Sequence, residues 1–161
     1  MSGSSIFRRT FYIRFSGERL RVDAMGLSPG FDDLAVVAIG KDERGVARVT
    51  AIGQAAECLQ ASGTVLVRPF ANPRTVLDDY TVASKLLCHA VRQCLLPHGW
   101  TAMRPMVRVL LHPLREFSGG LTQVEMRALL ELAQSAGARL AAVHEGRELQ
   151  PQEVEAYRFT S

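Results

Sequence analysis

The sequence predicts an α/β fold with a mixed sheet, in which an antiparallel meander is followed by parallel strands and helices. Short segments of alternating apolar and polar residues occupy the first third of the chain. Two helical patterns with apolar stripes follow, and apolar strands lie between and after them. With 161 residues, 47% of them hydrophobic, the chain has enough apolar material for one core. We therefore expect a single domain over residues 1–161, with a basic segment at 1–9 and a tail at 146–161.

The meander accounts for the first four predicted strands. Apolar side chains alternate along the first strand, which turns at Ser16-Gly17 and returns. A continuous apolar segment indicates the third strand, and a polar connection leads from it into a fourth that runs back. These strands are expected at residues 11–15, 20–22, 34–39 and 46–52.

Helical spacing and capping signals organise the rest of the chain. A long helix is predicted at 76–96, with Asp78-Asp79 at its start because negative charge is favourable at a helix N-terminus. Another helix begins at the capping box formed by Thr122 and Glu125. This helix is expected to bury Val124, Leu129, Leu132 and Ala133. Shorter helices are expected at 53–62 and 151–159, and further strands at 64–68, 106–111 and 139–143.

Charge and composition exclude several classes of protein. The net charge is +3, and the basic residues neither cluster nor alternate with aromatic ones, so nucleic-acid binding is not expected. Every apolar segment ends before membrane-spanning length, and the start lacks the apolar core of a secretory signal. We therefore expect a cytoplasmic protein. Cys58, Cys88 and Cys94 form no C-x-x-C pair and are interpreted as buried free thiols.

A candidate ligand site lies where two strands are expected to end side by side. His112 follows the strand at 106–111, while His144 and Glu145 follow the strand at 139–143, and the crossover between them favours parallel pairing. Open α/β sheets bind ligands at the carboxyl ends of their strands. One interpretation is therefore a small-ligand rim formed by these three residues, and the other is a set of solvated strand-end side chains. Their spacing does not support a zinc site, and no metal or cofactor is predicted.

Five short segments occur in an order that carries a resemblance. They are Leu34-Ala-Val-Val-Ala-Ile39, Ala51-Ile-Gly-Gln-Ala-Ala56, Val67-Arg-Pro-Phe70, Leu77-Asp-Asp-Tyr-Thr-Val-Ala-Ser-Lys-Leu-Leu87 and Leu121-Thr-Gln-Val-Glu-Met-Arg-Ala-Leu-Leu-Glu-Leu-Ala-Gln-Ser-Ala-Gly-Ala-Arg139. The last is the most specific, since it is similar to I-T-x-V-E-R-R-A-V-x-x-A-A-x-x-A-G-A-R. Together they resemble the first lobe of the MreB family of bacterial actin homologues. The resemblance implies an RNase H-like fold, that of an actin-like ATPase subdomain.

The same resemblance implies a nucleotide site from which this sequence departs. The first phosphate hairpin of the family carries D-x-G-T, whereas this chain has Arg14-Phe15-Ser16-Gly17-Glu18. Ser16 and Gly17 are therefore interpreted as a degenerate phosphate turn. Glu145 matches the family glutamate that positions the attacking water, although the helix after it is replaced. The second phosphate hairpin and the adenine site would lie beyond residue 161, so ATPase activity is not expected.

The sequence leaves two hypotheses of function. The first is a non-catalytic interaction module linked to cell shape or envelope assembly, whose partner is an MreB filament, an envelope-assembly protein or a second copy of the chain. The second is a small-molecule-binding or hydrolytic protein that uses the rim of His112, His144 and Glu145. In addition, Ile6-Phe7-Arg8-Arg9-Thr10-Phe11 resembles a weak membrane anchor, which suggests a location at the inner face of the membrane.

Overall fold

A five-stranded mixed sheet lies at the centre of the structure, a computed structural model that describes residues 9–59, 63–99 and 108–159. A three-stranded antiparallel sheet accompanies it. In chain order, the strands of the described residues are β1 (Thr10–Phe15), β2 (Arg19–Ala24), β3 (Phe31–Leu34), β4 (Val37–Lys41), β5 (Ala47–Ile52), β6 (Val65–Val67), β7 (Arg108–Pro113) and β8 (Leu140–Val143). The helices are α1 (Gln54–Cys58), α2 (Tyr80–Leu95), α3 (Gln123–Ser135) and α4 (Pro151–Glu155).

The larger sheet has the strand order β3-β2-β1-β7-β8. Its first three strands form an antiparallel meander, while β7 pairs in parallel with both β1 and β8. The connection from β7 to β8 contains α3, because parallel neighbours require a crossover rather than a tight turn. The predicted α/β class and mixed sheet are confirmed.

Both faces of the larger sheet are covered. Since successive side chains of a strand point to opposite sides, neighbouring residues of β1 pack into different cores. Ile13 and Phe15 of β1 belong to the main core, which α2 and α3 complete. Tyr12, which directly precedes Ile13, packs instead with Leu110 of β7 and Val154 of α4. All five side chains are buried. The sheet is therefore a layer between two long helices on one side and the C-terminal segment on the other.

The smaller sheet, in the order β5-β4-β6, corrects the predicted strand at 34–39. Leu34 ends β3 in the larger sheet, and Val37 begins β4 in the smaller one. Ala35 and Val36 between them are fully buried, Ala35 in the main core and Val36 in a separate small core. The apolar segment is therefore a junction between two sheets. A continuous apolar pattern cannot distinguish such a junction from a single buried strand.

Caps determine where the helices begin, and they correct several predicted boundaries. Asp79 is the N-cap of α2, and its carboxylate accepts a hydrogen bond from Val82 N at 2.9 Å. The helix therefore begins at Tyr80 rather than at residue 76, which confirms the aspartate pair as its start but not the longer range. The short helices α1 and α4 end earlier than predicted, at Cys58 and Glu155.

The capping box at the start of α3 is confirmed. Thr122 Oγ1 accepts a hydrogen bond from Glu125 N at 3.2 Å, and the Glu125 carboxylate accepts one from Thr122 N at 3.0 Å. Leu129, in the middle of the helix, is buried as predicted. Val124 is 80% exposed, so its predicted burial is wrong. It lies in the first turn of the helix, where its side chain faces solvent.

The cysteines differ in exposure. Cys94 is buried, and that burial raises the pKa of its thiol to about 11. Cys58 and Cys88 are exposed, which corrects their predicted burial. All three are free thiols.

Some predictions concern residues outside the described ranges. Residues 6–8 of the predicted membrane-contact motif are among these, as are residues 106–107 of the predicted strand and residues 60–62 of the predicted helix. In the part of the chain that the structure describes, no helix has the length and apolar character needed to cross a membrane.

Candidate functional site

The predicted site residues all lie at one edge of the larger sheet. The parallel strands β1, β7 and β8 end there, and the β1–β2 turn and the segment after β8 meet beside them. The backbone N–H of His144 donates to the carbonyl of Leu111 at 2.8 Å, which extends the pairing of β7 and β8 by one residue. The sequence-based expectation that these two strands end side by side is confirmed.

His112 is completely buried at this edge, with 0% of its surface exposed. One ring nitrogen, Nε2, lies 2.9 Å from the carbonyl oxygen of Gly146, and the other, Nδ1, lies 2.6 Å from the hydroxyl of Tyr12. A carbonyl can only accept, so Nε2 carries the proton and Nδ1 accepts from Tyr12. Burial also lowers the pKa of His112, which favours this neutral form.

His144 contacts His112 but directs its own ring nitrogen elsewhere. The two imidazole rings meet edge to face, with centroids 4.8 Å apart. His144 Nε2 lies 2.9 Å from the carbonyl oxygen of Arg147, and the ring also meets the edge of Tyr157. The structure therefore brings the two predicted histidines together. In each ring, one nitrogen is hydrogen-bonded to a backbone carbonyl oxygen.

Glu145 faces a different element from the two histidines. Its side chain is exposed, and its Oε1 accepts a hydrogen bond from the backbone N–H of Leu121 at 3.0 Å. This contact fastens the segment after β8 to the loop that precedes α3. Among the residues that the structure describes, no group of three His, Cys, Asp or Glu side chains is arranged to hold a metal ion.

These contacts bear on both interpretations of the predicted rim. Solvated strand-end side chains are ruled out for His112, which is buried. A ligand that used His112 would have to displace Tyr12 or Gly146 from the ring nitrogens. The ligand rim of His112, His144 and Glu145 stays a prediction.

The turn predicted to be a degenerate phosphate site is closed by its own serine. Ser16 Oγ accepts hydrogen bonds from the backbone N–H groups of Glu18 at 3.3 Å and Arg19 at 3.1 Å. Gly17 lies against the backbone of Ala71, so close that an added Cβ would stand 3.3 Å from the Ala71 Cα. Glycine at this position allows the turn to approach the backbone of Ala71 closely, and its backbone is not left-handed.

A groove of about 440 Å³ opens beside this turn. Its charged lining comes from Glu18 after the turn, Glu57 of α1 and Arg68 after β6. Arg68 and Glu57 form an ion pair across it. The groove is of a size that small molecules occupy in proteins, and its lining combines two carboxylates with one engaged guanidinium.

Sequence reasoning missed a polar cluster centred on Arg14. Arg14 forms ion pairs with Asp23 of β2 and, at 2.8 Å, with Glu148 of the C-terminal segment. Its guanidinium lies over the ring of Tyr12, 5.0 Å from the centroid. Tyr12 and Arg14 share a face because they are two residues apart in β1, a signal that the sequence does contain. Nothing local indicates that Glu148, far along the chain, completes the cluster.

Comparison with known proteins gives the relatives of this chain. No protein-family model matches it. The cell shape-determining protein MreB of Haemophilus influenzae is 35% identical over 112 residues, which span 67% of this chain and 29% of that protein. MreB of Escherichia coli is 38% identical over 109 residues, which span 65% of this chain and 29% of that protein. The chain therefore covers less than a third of the length of these curated relatives.

Solved structures show the same fold over more of the chain. The crystal structure of MreB5 of Spiroplasma citri bound to ADP matches with a TM-score of 0.64 at 20% identity, over 86% of this chain and 38% of that one. A non-polymerising MamK variant bound to AMPPNP matches with a TM-score of 0.63 at 17% identity, over 86% and 41% of the two chains. The predicted actin-like, RNase H-like fold is confirmed, and the partial coverage fits one lobe of these proteins. In sequence and in fold, this chain resembles one lobe of the MreB/actin-like family.

Proposed function

We propose that this chain is a non-catalytic protein-interaction module of the MreB type that acts in cell shape or envelope assembly. The observation that carries the proposal is the Ser16-Gly17 turn, in which the serine hydroxyl already accepts from the amides of Glu18 and Arg19. A phosphate group held by a turn of this kind needs free backbone N–H donors. The turn therefore keeps the shape of a hairpin while its donors stabilise the turn itself.

Charges beside the turn support the same proposal. An anionic phosphate in the groove would meet the carboxylates of Glu18 and Glu57, and the guanidinium of Arg68 is engaged by Glu57. The segment that corresponds to D-x-G-T contains no aspartate, and Arg14, just before it, pairs with Asp23 and Glu148. Phosphoryl transfer depends on positioned charge and a metal ion, which these contacts do not favour.

The partner that we propose is a protein of the MreB family. The relatives of this chain carry the name of a cell shape-determining protein. Apolar side chains available for contact include Val65 of β6, 61% exposed, and Val124 of α3, 80% exposed. This function places the chain in the cytoplasm, at the inner face of the membrane where the envelope is assembled.

The test uses the full chain immobilised on resin and purified MreB of Escherichia coli as the binding partner. We expect MreB to be retained, and we expect no rise in the melting temperature of the chain when ATP and Mg²⁺ are added. A melting temperature that rises with ATP concentration would contradict the non-catalytic assignment. If MreB is not retained and the chain sediments as a monomer, the interaction module is contradicted instead.

Two neighbouring positions on α3 provide matched variants for the binding experiment. Val124→Asp places a charge on the exposed apolar position, and Gln123→Asp places the same charge on an adjacent exposed polar position. Because both side chains are exposed, neither variant should alter folding. Loss of MreB retention in Val124→Asp alone would assign the first turn of α3 to the interface, whereas equal retention would exclude it.

A further inference from the structure

The segment from residue 146 to residue 159, called the C-terminal strap here, covers the second face of the larger sheet. Val154 of the strap is completely buried against Tyr12 and Leu110, and Leu149 and Phe159 are partly buried around them. Since α4 is a helix of only five residues, its own hydrogen bonds cannot hold the strap in place. The position of the strap depends on its contacts with the sheet.

Three polar contacts join the strap to β1 and β7, and the hydroxyl of Tyr157 also donates to the carbonyl of Val143 in β8 at 3.5 Å. The carbonyl of Gly146 accepts from His112 Nε2 at 2.9 Å, and the N–H of Leu149 donates to Tyr12 Oη at 3.1 Å. Glu148 pairs with Arg14 at 2.8 Å. The first two contacts are connected, because Tyr12 donates its hydroxyl proton to His112 Nδ1. His112 therefore contacts the strap directly at Gly146 and, through the hydroxyl of Tyr12, is linked to the contact at Leu149.

With a neutral imidazole, the ring N–H and the Tyr12 hydroxyl proton each have an acceptor within this network. If Nδ1 also carried a proton, it would have to donate to Tyr12 Oη, which already accepts from Leu149. The hydroxyl proton of Tyr12 would then lose its acceptor inside a buried site. Protonation of His112 therefore disturbs the contact between β1 and the strap, and not only the ring itself.

Neighbouring charges determine how readily His112 takes up a proton. The hydrogen bond to the Gly146 carbonyl and the charge of Glu148 favour a proton on the ring, whereas His144 and Arg14 oppose it. Among the described residues, the titratable and charged groups that face the strap and this network are Tyr12 and Arg14 from β1, Asp23 from β2, Arg108 from β7 over the ring of Phe159, His144 after β8, Glu148 within the strap, and, at its outer side, the Arg147–Glu153 ion pair and Tyr157. Burial is the largest influence, and it lowers the pKa of His112.

We propose that the C-terminal strap is a proton-operated latch: when His112 binds a proton, residues 146–159 leave the sheet and the apolar face around Tyr12 and Leu110 is uncovered. The strap begins at Gly146, whose φ of +115° is a conformation that other residues rarely adopt. This glycine provides both the hinge and the carbonyl that His112 binds. The latch does not depend on the partner or on the family function proposed above.

The first experiment measures amide hydrogen exchange of the full chain between about pH 7.5 and about pH 5, corrected for the intrinsic pH dependence of exchange. We expect the amides of the strap to lose protection relative to those of α2 as His112 protonates, because the open strap relieves the burial that lowers the pKa of the ring. Equal protection of the strap at both pH values would overturn the proposal.

The variant His112→Gln separates the latch from general acid effects. Glutamine offers one donor and one acceptor, as neutral histidine does, and it does not titrate. We expect the strap of this variant to stay protected at the lower pH. The matched control is His89→Gln on α2, where burial also lowers the pKa but the ring contacts Phe31 instead of the strap. A strap that opens identically in wild type and His112→Gln contradicts the latch.

A measurement on the unmodified chain decides the case if His112→Gln does not fold. Imidazole nitrogen shifts in an NMR titration report whether His112 is neutral with its proton on Nε2, or doubly protonated. We expect the doubly protonated form to appear over the same pH range as strap exchange. Opening of the strap while His112 remains neutral would overturn the proposal.

Discussion

At the scale of single residues, the hydroxyl group of Tyr12 joins the beginning of the sheet to the end of the chain. It accepts from Leu149 and donates to His112, although only 2% of the residue is exposed. Burial raises the pKa of Tyr12, so the hydroxyl keeps its proton and remains a donor. A buried polar network of this kind stabilises a structure only while each of its members has a partner.

Removing this hydroxyl tests how much the network contributes. We expect Tyr12→Phe to lower the free energy of unfolding by about 1–3 kcal/mol, because the Leu149 N–H and His112 Nδ1 both lose their partner inside the protein. Urea unfolding followed by circular dichroism provides the measurement. Tyr80→Phe serves as the control because Tyr80 is 40% exposed, and its stability should match wild type. An unchanged stability for Tyr12→Phe would show that the network contributes little.

The lowered pKa of His112 also predicts a pH dependence of stability. The unfolded chain begins to bind a proton at this histidine near pH 6.5, while the folded chain does not until the pH is lower. Over that interval the unfolded state holds more protons, so the free energy of unfolding falls as the pH falls. Above the pKa of the unfolded chain, the contribution of His112 to stability is present in full. Urea unfolding at several pH values should show this decrease in wild type and a smaller one in His112→Gln. Identical pH profiles for the two proteins would contradict it.

The sequence placed His112 and His144 correctly at the ends of neighbouring strands, because strand ends follow from hydrophobic patterns that can be read locally. It could not show that His112 is buried. The covering residues, such as Leu149 and Val154, come from a short segment with too few apolar positions to indicate a packed element. Burial at this edge is decided by contacts between distant parts of the chain.

At the scale of elements, α3 shows which features of a helix are local and which are not. The capping box of Thr122 and Glu125 was predictable because both partners lie within one turn. The exposure of Val124 was not, since it depends on which of the described residues lie over the first turn, and they leave Val124 80% exposed. Helical spacing identifies a stripe, but packing determines how far along the helix that stripe is covered.

Two truncations on this helix should differ sharply. Leu129→Ala removes a fully buried side chain and is expected to cost about 2–5 kcal/mol of unfolding free energy, because it leaves a cavity in the main core. Val124→Ala, at an 80% exposed position, should change stability by no more than about 0.5 kcal/mol. Chemical unfolding of both variants makes the comparison. Similar losses for the two would mean that Val124 is covered.

The cap is expected to stabilise a second segment in addition to the helix that it begins. Glu125 Oε1 also accepts from the N–H of Val76 at 3.1 Å, which ties α3 to the segment before α2. Thr122→Ala should therefore lower the free energy of unfolding by about 0.5–2 kcal/mol, the usual range for a lost N-cap. Gln123→Ala, one residue further on, is the control and should behave like wild type. Equal stability of the two variants would contradict a role for the cap.

At the scale of the whole molecule, the two sheets share one core. Val37 of β4 is fully buried in the main core, and Ile39, Val49 and Val67 of the smaller sheet pack against it. Neither sheet can therefore lose its structure without exposing apolar surface of the other. We treat them as a single cooperative unit.

This cooperativity can be measured directly. Hydrogen exchange at increasing urea should show that amides of β4 and amides of β1 become exposed at the same denaturant concentration. Far-ultraviolet circular dichroism should give the same midpoint. Earlier exposure of β4, β5 and β6 would mean that the smaller sheet unfolds separately.

The class of the larger sheet, with its meander and its parallel crossover, was predictable because both follow general rules for connecting strands. The smaller sheet was not recognised as separate. Its first strand begins only two buried residues after β3 ends, and Ala35 and Val36 carry no turn signal that would mark the change of sheet. The ion pairs of Arg14 were also beyond prediction, since Asp23 and Glu148 meet it only in the folded chain.

The position of β1 in the sheet has a consequence for the order in which the molecule is made. β1 is the middle strand, yet its parallel neighbour β7 is synthesised only after the smaller sheet and α2 have emerged. Until residue 113 has left the ribosome, one side of β1 presents unpaired N–H and carbonyl groups that any other strand could pair with. We therefore expect nascent chains to be most exposed to wrong strand pairing at that stage, and refolding should be slow because distant segments must meet first.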